Sequence, residues 1–190
     1  QNLETGAIER WASGSWQSDY DLYSSNGAIN VKTYGAVGDG ATDDADAIQA
    51  AIDAAGSGMV VVPADAYYIN GTITIDRPFD ARGATFSVGA TGSIVIGTEA
   101  DGEVVRSIQV FLPLVTSSRA RASVWSEGTQ SGVTISNLLE SEIVVPHVEG
   151  FYNGLRVVGI GTGAVHNNIH LGRLYNNKRN LLLENGSGWS

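Results

Sequence analysis

Hydrolysis of a glycosidic bond asks for two carboxyl groups across the bond, one held protonated and one ionised. Glu140, Glu142, Glu149, Glu184 and Asp101 are the acids available for such work along the strand-forming part of the chain. Their spacing pairs none of them, and an isolated acid is by default a solvated surface group. Catalytic residues are therefore unknown at this level. Elimination from a uronate would need a base beside a neutralised carboxylate, and no such cluster is legible. His166 and His170 stand four apart, a metal-binding spacing on a helix. On an extended strand the same spacing is about 13 Å, too far for one ion, so neither a metal nor a cofactor is expected. His147, beside Pro146 and close to Glu149, reads as a surface residue. Sugar binding without catalysis uses aromatic faces and hydrogen-bonding side chains. Trp125, Glu149, Tyr152 and Tyr175 are the candidates, with Trp189 as a further aromatic.

Positioning these groups requires a scaffold, and its clearest signal is the stretch from Tyr34 to Ile52. Gly35, Gly38 and Gly40 permit turns with positive φ, and Thr42 or Asp43 can cap the amides of a following helix. Asp43, Asp44 and Asp46 put negative charge where a helix dipole is positive. Ile48, Ala51, Ile52 and Ala55 recur on one helical face and Gly56 stops the run, so a helix is expected over residues 43–55. Gly35, Gly38, Asp39, Gly40, Thr42, Asp43 and Asp44 thus form a structural helix-start motif. A phosphate cradle would need other glycine spacing, a following lysine and a helix start free of acid. A calcium loop would need its oxygen donors in a different order.

After the helix come short β-branched runs: Met59–Val62, Thr72–Ile75, Thr85–Val88, Ser93–Ile96, Val104–Leu112 and Val133–Ile135, separated by Gly, Asp and Ser. The segment from Val115 to Gly132 fits this rhythm poorly and is expected to be a lateral loop. Further on the chain repeats itself at an offset of 26 residues, which aligns Ile143 with Ile169, Val145 with Leu171, Val148 with Leu174, Leu155 with Leu181 and Val157 with Leu183. Stacked aliphatic positions at that period are the mark of a solenoid. The connections are too short and polar to hold the helices of an α/β fold. Asparagines gather at the strand ends, where tight corners need a residue that tolerates the left-handed region.

The chain has 190 residues, 43% of them hydrophobic, enough for one sizeable core. A net charge of −9 without a basic run excludes nucleic acid as an expected partner, and nothing resembles a membrane-inserting span. Without cysteine there is no disulfide framework. Residues 1–30, rich in Ser, Gly and Asn with Trp11, Trp16, Tyr20 and Tyr23, read as an N-terminal arm, either docked on the first coils or serving as an attachment or subunit-contact segment. Residues 31–190 read as the N-terminal part of a solenoid domain. The sequence stops at Gly186-Ser187-Gly188-Trp189-Ser190 without a polar cover for the last coil, so further coils, and catalytic residues with them, are expected beyond Ser190.

From Ile29 to about Tyr68 the wording resembles the opening segment of the pectate-lyase-like superfamily, all-β proteins built as right-handed parallel β-helices with a helix plugging the N-terminal end. Within that superfamily the order of arm, helix-start motif, plug helix and coils is most similar to the N-terminal part of a bacteriophage tailspike. The resemblance implies a homotrimer on the virion tail that binds and often degrades host cell-surface polysaccharide and meets other virion tail proteins through the arm. It equally covers a secreted, extracellular polysaccharide lyase or glycoside hydrolase, or a non-enzymatic β-solenoid adhesin. The Asn-Thr-Asp and His-Gly signatures of the polygalacturonase members are missing and the sole Asp43-Asp44 pair lies at the helix start, so that activity does not carry over. Outward-facing Val144 and Leu182, together with the aromatics of the arm, supply the apolar surface such a trimer would cover.

Overall fold

The computed structural model describes residues 9–12, 15–18, 27–100, 102–159, 164 and 166–184. In the arm, β1 (Glu9–Ala12) and β2 (Ser15–Ser18) form an antiparallel ribbon in which Trp11 stands opposite Trp16. The rest is a parallel β-helix with three faces.

The first coil holds β3 (Ile29–Asn30), a short 3-10 turn, β4 (Asp39–Asp43) and helix α1 (Ala45–Ala54). The second holds β5 (Val60–Val61), β6 (Ala66–Ile69) and β7 (Thr72–Ile75). The third holds β8 (Phe79–Asp80), β9 (Thr85–Val88) and β10 (Ser93–Gly97). Then follow β11 (Val105–Arg106), β12 (Gln109–Phe111), β13 (Leu114–Ser117), helix α2 (Arg121–Glu127), β14 (Ser131–Ser136) and β15 (Leu138–Leu139), with β11 and β15 paired to each other. The last two coils are β16 (Glu142–Glu149) with β17 (Asn153–Val158), and β18 (Asn168–Tyr175) with β19 (Arg179–Glu184).

Face one stacks β3, β5, β8, β12 and the first halves of β16 and β18; face two stacks β4, β6, β9, β13 and their second halves. Pro113 breaks the earlier coil between these faces, whereas Pro146 and Gly172 sit inside continuous strands at the same bend. A Cβ on Gly172 would lie 2.1 Å from the Pro146 carbonyl oxygen, so this close approach requires glycine. Face three is β7-β10-β14-β17-β19.

Alternation puts every second side chain inside, and the parallel register stacks like on like. Ile75, Ile96, Ile135 and Val157 form one such ladder on face three, each essentially without exposure. Each such burial contributes about 1.5–3 kcal/mol. The 26-residue repeat has the register read from the sequence: Ile143 pairs with Ile169, Val145 with Leu171, Leu155 with Leu181 and Val157 with Leu183, all in parallel strands. One part of that expectation is corrected. Leu171, Leu181 and Leu183 keep 42%, 43% and 46% of their surface, although they face the same way as their buried partners. They belong to the last described coil, over which no described residue packs.

Helix α1 takes the place of a face-three strand in the first coil. Ile48, Ala51 and Ile52 are fully buried beneath it, and Gln49 Oε1 accepts from the Thr74 amide at 2.7 Å, occupying a donor that the edge of β7 would otherwise leave open. The acids before it divide their work differently from simple capping. Asp43 Oδ1 accepts from the amides of Ala45 (3.1 Å) and Asn70 (3.0 Å), tying the helix start to the next coil. Asp44, at the N-cap position but making no side-chain cap, is buried and accepts instead from the amides of Val37 (2.6 Å) and Gly38 (3.1 Å). Gly35, Gly38 and Gly40 have φ of 98°, 68° and 74°, the left-handed turns expected of them.

The expected lateral loop over Val115–Gly132 is in fact half regular: β13 continues face two to Ser117, and Arg121–Glu127 is helical, closed by an ion pair between Arg119 and Glu127. Its apolar residues are too few for a helical stripe to show. Among the described residues no helix is long and apolar enough to cross a membrane.

Several acids with lowered folded-state values, Asp80 and Asp39 among them, link this scaffold to pH. Burial pushes Asp80 up, but hydrogen bonds from Arg82 (2.5 Å at the closest) and its charge outweigh burial and hold the carboxyl below its usual value. The amides of Thr42 and Ala41 do the same for Asp39. A depressed folded-state value means stability that is complete above the ordinary carboxylate range and is lost as pH falls through the folded-state values. Melting temperature should therefore hold down to about pH 4 and drop below it, and Asp80→Asn should flatten that acid slope. A melting series across acidic pH in which the variant keeps the full slope would contradict this.

Candidate functional site

Where the chain turns into face one, successive coils open a groove of about 720 Å³ that runs along the solenoid axis. Met59 and Pro78 supply its apolar end from the turns before β5 and β8; Gln109, Glu142 and Asn168 supply its polar part from the starts of β12, β16 and β18. Those three are register partners, so one hydrogen-bonding side chain is presented per coil.

Two residues earlier in each of these coils stand Ser107, Glu140 and His166, with φ of 54°, 53° and 55°. A left-handed backbone costs a residue other than glycine about 1 kcal/mol, and here it recurs in three stacked coils along the groove. Side chains behind the corners hold it in place. Ser141 Oγ accepts from the Ile108 amide (3.1 Å) and donates to the Leu139 carbonyl (2.9 Å). Asn167 accepts from the Ser141 amide (3.0 Å) and donates to the Leu138 carbonyl (2.6 Å). The corners thereby aim Glu140 and His166 at the groove, where both line it.

Glu142 accepts from Gln109 Nε2 at 3.2 Å, and His170 Nε2 lies 3.6 Å from its other oxygen. Both ionisable side chains remain well exposed. The arrangement offers carboxylate acceptors, amide donors and the His166 imidazole to a polyhydroxylated chain laid along the axis.

The other sequence candidates go elsewhere. Glu149 and Tyr175 are register partners near the ends of β16 and β18 on face two. Hydrogen bonds from Asn176 (2.8 Å) and His147 (3.1 Å) hold the Glu149 carboxyl below its usual range, and the Arg173 guanidinium lies 4.4 Å from the Tyr175 ring centroid. Glu184 is engaged by Arg156 at 2.7 Å on face three. Trp125 and Tyr152 come together at the corner between faces two and three, where Trp125 Nε1 donates to the Phe151 carbonyl (3.1 Å) and Lys178 reaches both residues. Asp101 and Trp189 lie outside the described residues. Gln109 and Ser107 were missed because the step between β12 and β16 is 33 residues, not 26, and only the register shows it.

Residues 28–102 match the family model described as rhamnogalacturonase A/epimerase, pectate lyase-like. Among curated proteins, Alginate lyase 7 of Azotobacter vinelandii is 60% identical over 45 residues, 22% of this chain and 5% of that protein. The mannuronan C5-epimerase AlgE3 of the same organism is 60% identical over 46 residues, 23% of this chain and 2% of that protein. The matches thus span a small part of those relatives. Among solved structures, ORF18 of Geobacillus virus E2 superposes with a TM-score of 0.51 at 19% identity, covering 83% of this chain and 35% of that one. It shares the parallel β-helix fold.

Proposed function

We propose that this pectate-lyase-like chain is the neck and first coils of a tailspike-type protein, and that its axial groove binds a strand of cell-surface polysaccharide. The observation that carries the reading is the ladder of Gln109, Glu142 and Asn168 above three left-handed corners. A groove parallel to the coil axis, with one polar group per coil, suits a linear polymer better than a compact ligand. The names of the curated relatives, alginate lyase and mannuronan epimerase, support a polysaccharide as target. The order of arm, helix-start motif, plug helix and coils supports the tailspike form, in which three chains associate through the arm and the half-buried outward residues Val144 and Leu182 on a virion tail. The alginate lyase relative favours, as second reading, a secreted enzyme that acts alone. Light scattering on the parent protein separates the two: a trimer mass supports the first, a monomer mass the second.

For the groove itself, calorimetry of the chain against capsular, lipopolysaccharide and alginate glycans should find a ligand whose affinity falls about tenfold in Glu142→Gln. The melting temperature should stay within a degree or two of the parent's, because the side chain is a surface group. Equal affinity of variant and parent for every bound glycan would remove Glu142 from the site.

A further inference from the structure

Away from the groove, the corner between faces two and three carries charge of the opposite sign to the chain as a whole. Twenty acids face eleven bases in this sequence, and Lys32, Arg77, Arg82, Arg119 and Arg156 each hold a carboxylate within 4 Å. At the corner, Arg121, Lys178 and Arg179 have no such partner among the described residues; they lie against aromatic rings instead. Lys178 Nζ is 5.4 Å and Arg179 Cζ 5.2 Å from the Tyr152 ring centroid, and Arg121 Cζ is 6.0 Å from that of Trp125. All three cations are exposed and both rings are half-buried.

The geometry is fixed from below. Asn177 accepts from the Phe151 amide (2.9 Å) and donates to the Val148 carbonyl (3.0 Å), while the Lys178 and Arg179 amides donate to the carbonyls of Phe151 (3.0 Å) and Tyr152 (2.8 Å). Helix α2 is latched onto the same turn through Trp125. Gly128, which ends that helix in a left-handed turn with φ of 78°, leaves open a Cβ position 3.8 Å from the Tyr152 ring. Three exposed cations without a carboxylate partner among the described residues concentrate positive charge at this corner, which a bound anion would offset. A guanidinium beside an ammonium suits a carboxylate, and rings alongside suit the C–H face of a pyranose.

We propose that Lys178 and Arg179, with Arg121, form a binding site for the carboxylate groups of an acidic polysaccharide, with Trp125 and Tyr152 as its apolar side. The proposal rests on the reading of the chain as a polysaccharide binder, but it concerns a different corner from the groove.

The test uses the full chain and four probes: an alginate oligosaccharide, dextran as the neutral glycan, dextran sulfate, and poly-glutamate as the acidic polypeptide. Alginate binding should weaken as salt is raised and fall about tenfold in the double variant Lys178→Ala/Arg179→Ala. It should be largely restored by Lys178→Arg/Arg179→Lys. Dextran binding should not respond to the corner variants. Unchanged alginate affinity in the double variant would overturn the proposal, and so would poly-glutamate binding more tightly than alginate, which would mark a protein-docking surface. Dextran sulfate binding as tightly as alginate would overturn the carboxylate assignment. If dextran or another glycan binds through Glu142 while the corner variants change nothing, the groove reading stands and this one falls. Alginate binding lost only at the corner, with no glycan sensitive to Glu142, gives the reverse.

Discussion

Ile52→Asp should destabilise the protein by about 3–5 kcal/mol, or prevent folding, because it places an unpaired charge in an apolar site. Ile52 has no exposed surface and packs with Ile48 and Ala51 among the core residues that include Ile73 and Ile75 of β7. A carboxylate there would have neither water nor a cation. Ile52→Val, which removes one methylene, should cost about 1 kcal/mol and keeps the prediction readable if the aspartate variant cannot be purified. Urea unfolding measures both. Midpoints indistinguishable from the parent would mean that α1 lies loosely on the end of the solenoid and plugs nothing.

Gly97→Ala should cost about 3 kcal/mol or more, through overpacking added to backbone strain. Gly97 has a φ of 97°, and a Cβ built on it falls 2.0 Å from the Ser136 carbonyl oxygen of the adjoining coil. Gly35 provides the control: its φ is 98° but nothing lies within 4 Å of its Cβ position. Gly35→Ala should therefore cost only the left-handed penalty, about 1–2 kcal/mol. The difference between the two variants measures how tightly neighbouring coils are pressed together where β10 ends. Equal destabilisation would show that coil spacing relaxes freely at that point.

The helix, its buried face and the register of the last two coils were legible because each leaves a period in the sequence: Ile48 and Ile52 at helical spacing, and Ile143 and Ile169 one coil apart. The coils before them were harder to read. Their lengths vary because the connection from β10 to β11 and the α2 insertion lie between strands, so the step from β10 to β14 is 39 residues and no single offset aligns them. Strand β6 escaped notice because Ala66-Tyr67-Tyr68-Ile69 lacks the alternation of β-branched residues that marks Thr72–Ile75: its two adjacent tyrosines face opposite ways, Tyr67 inward and Tyr68 outward. The acids of the helix-start motif were recognisable as a group, but which amide each accepts from depends on how the preceding loop folds back, as Asp44 shows by bonding to Val37 and Gly38.

The candidate sites follow the same logic. Glu140 and Glu142 stood out as residue types, yet nothing in their spacing placed them beside Gln109 or His166, since that proximity is made by stacking rather than by sequence. Trp125 and Tyr152 were named as sugar-binding aromatics, and the fold brings them together with three cations; Glu149 and Tyr175, named with them, lie on face two among His147, Arg173 and Asn176.

Whether a polysaccharide lies along the groove of face one is decided by backbone amide shift mapping on the isotope-labelled chain during titration with oligosaccharides from capsule, lipopolysaccharide and alginate. At least one of them should shift the amides of Ser107–Gln109, Glu140–Glu142 and Asn168 together, with coils on face three undisturbed. If none of the oligosaccharides moved those amides, including any that bound elsewhere, the groove reading would be contradicted.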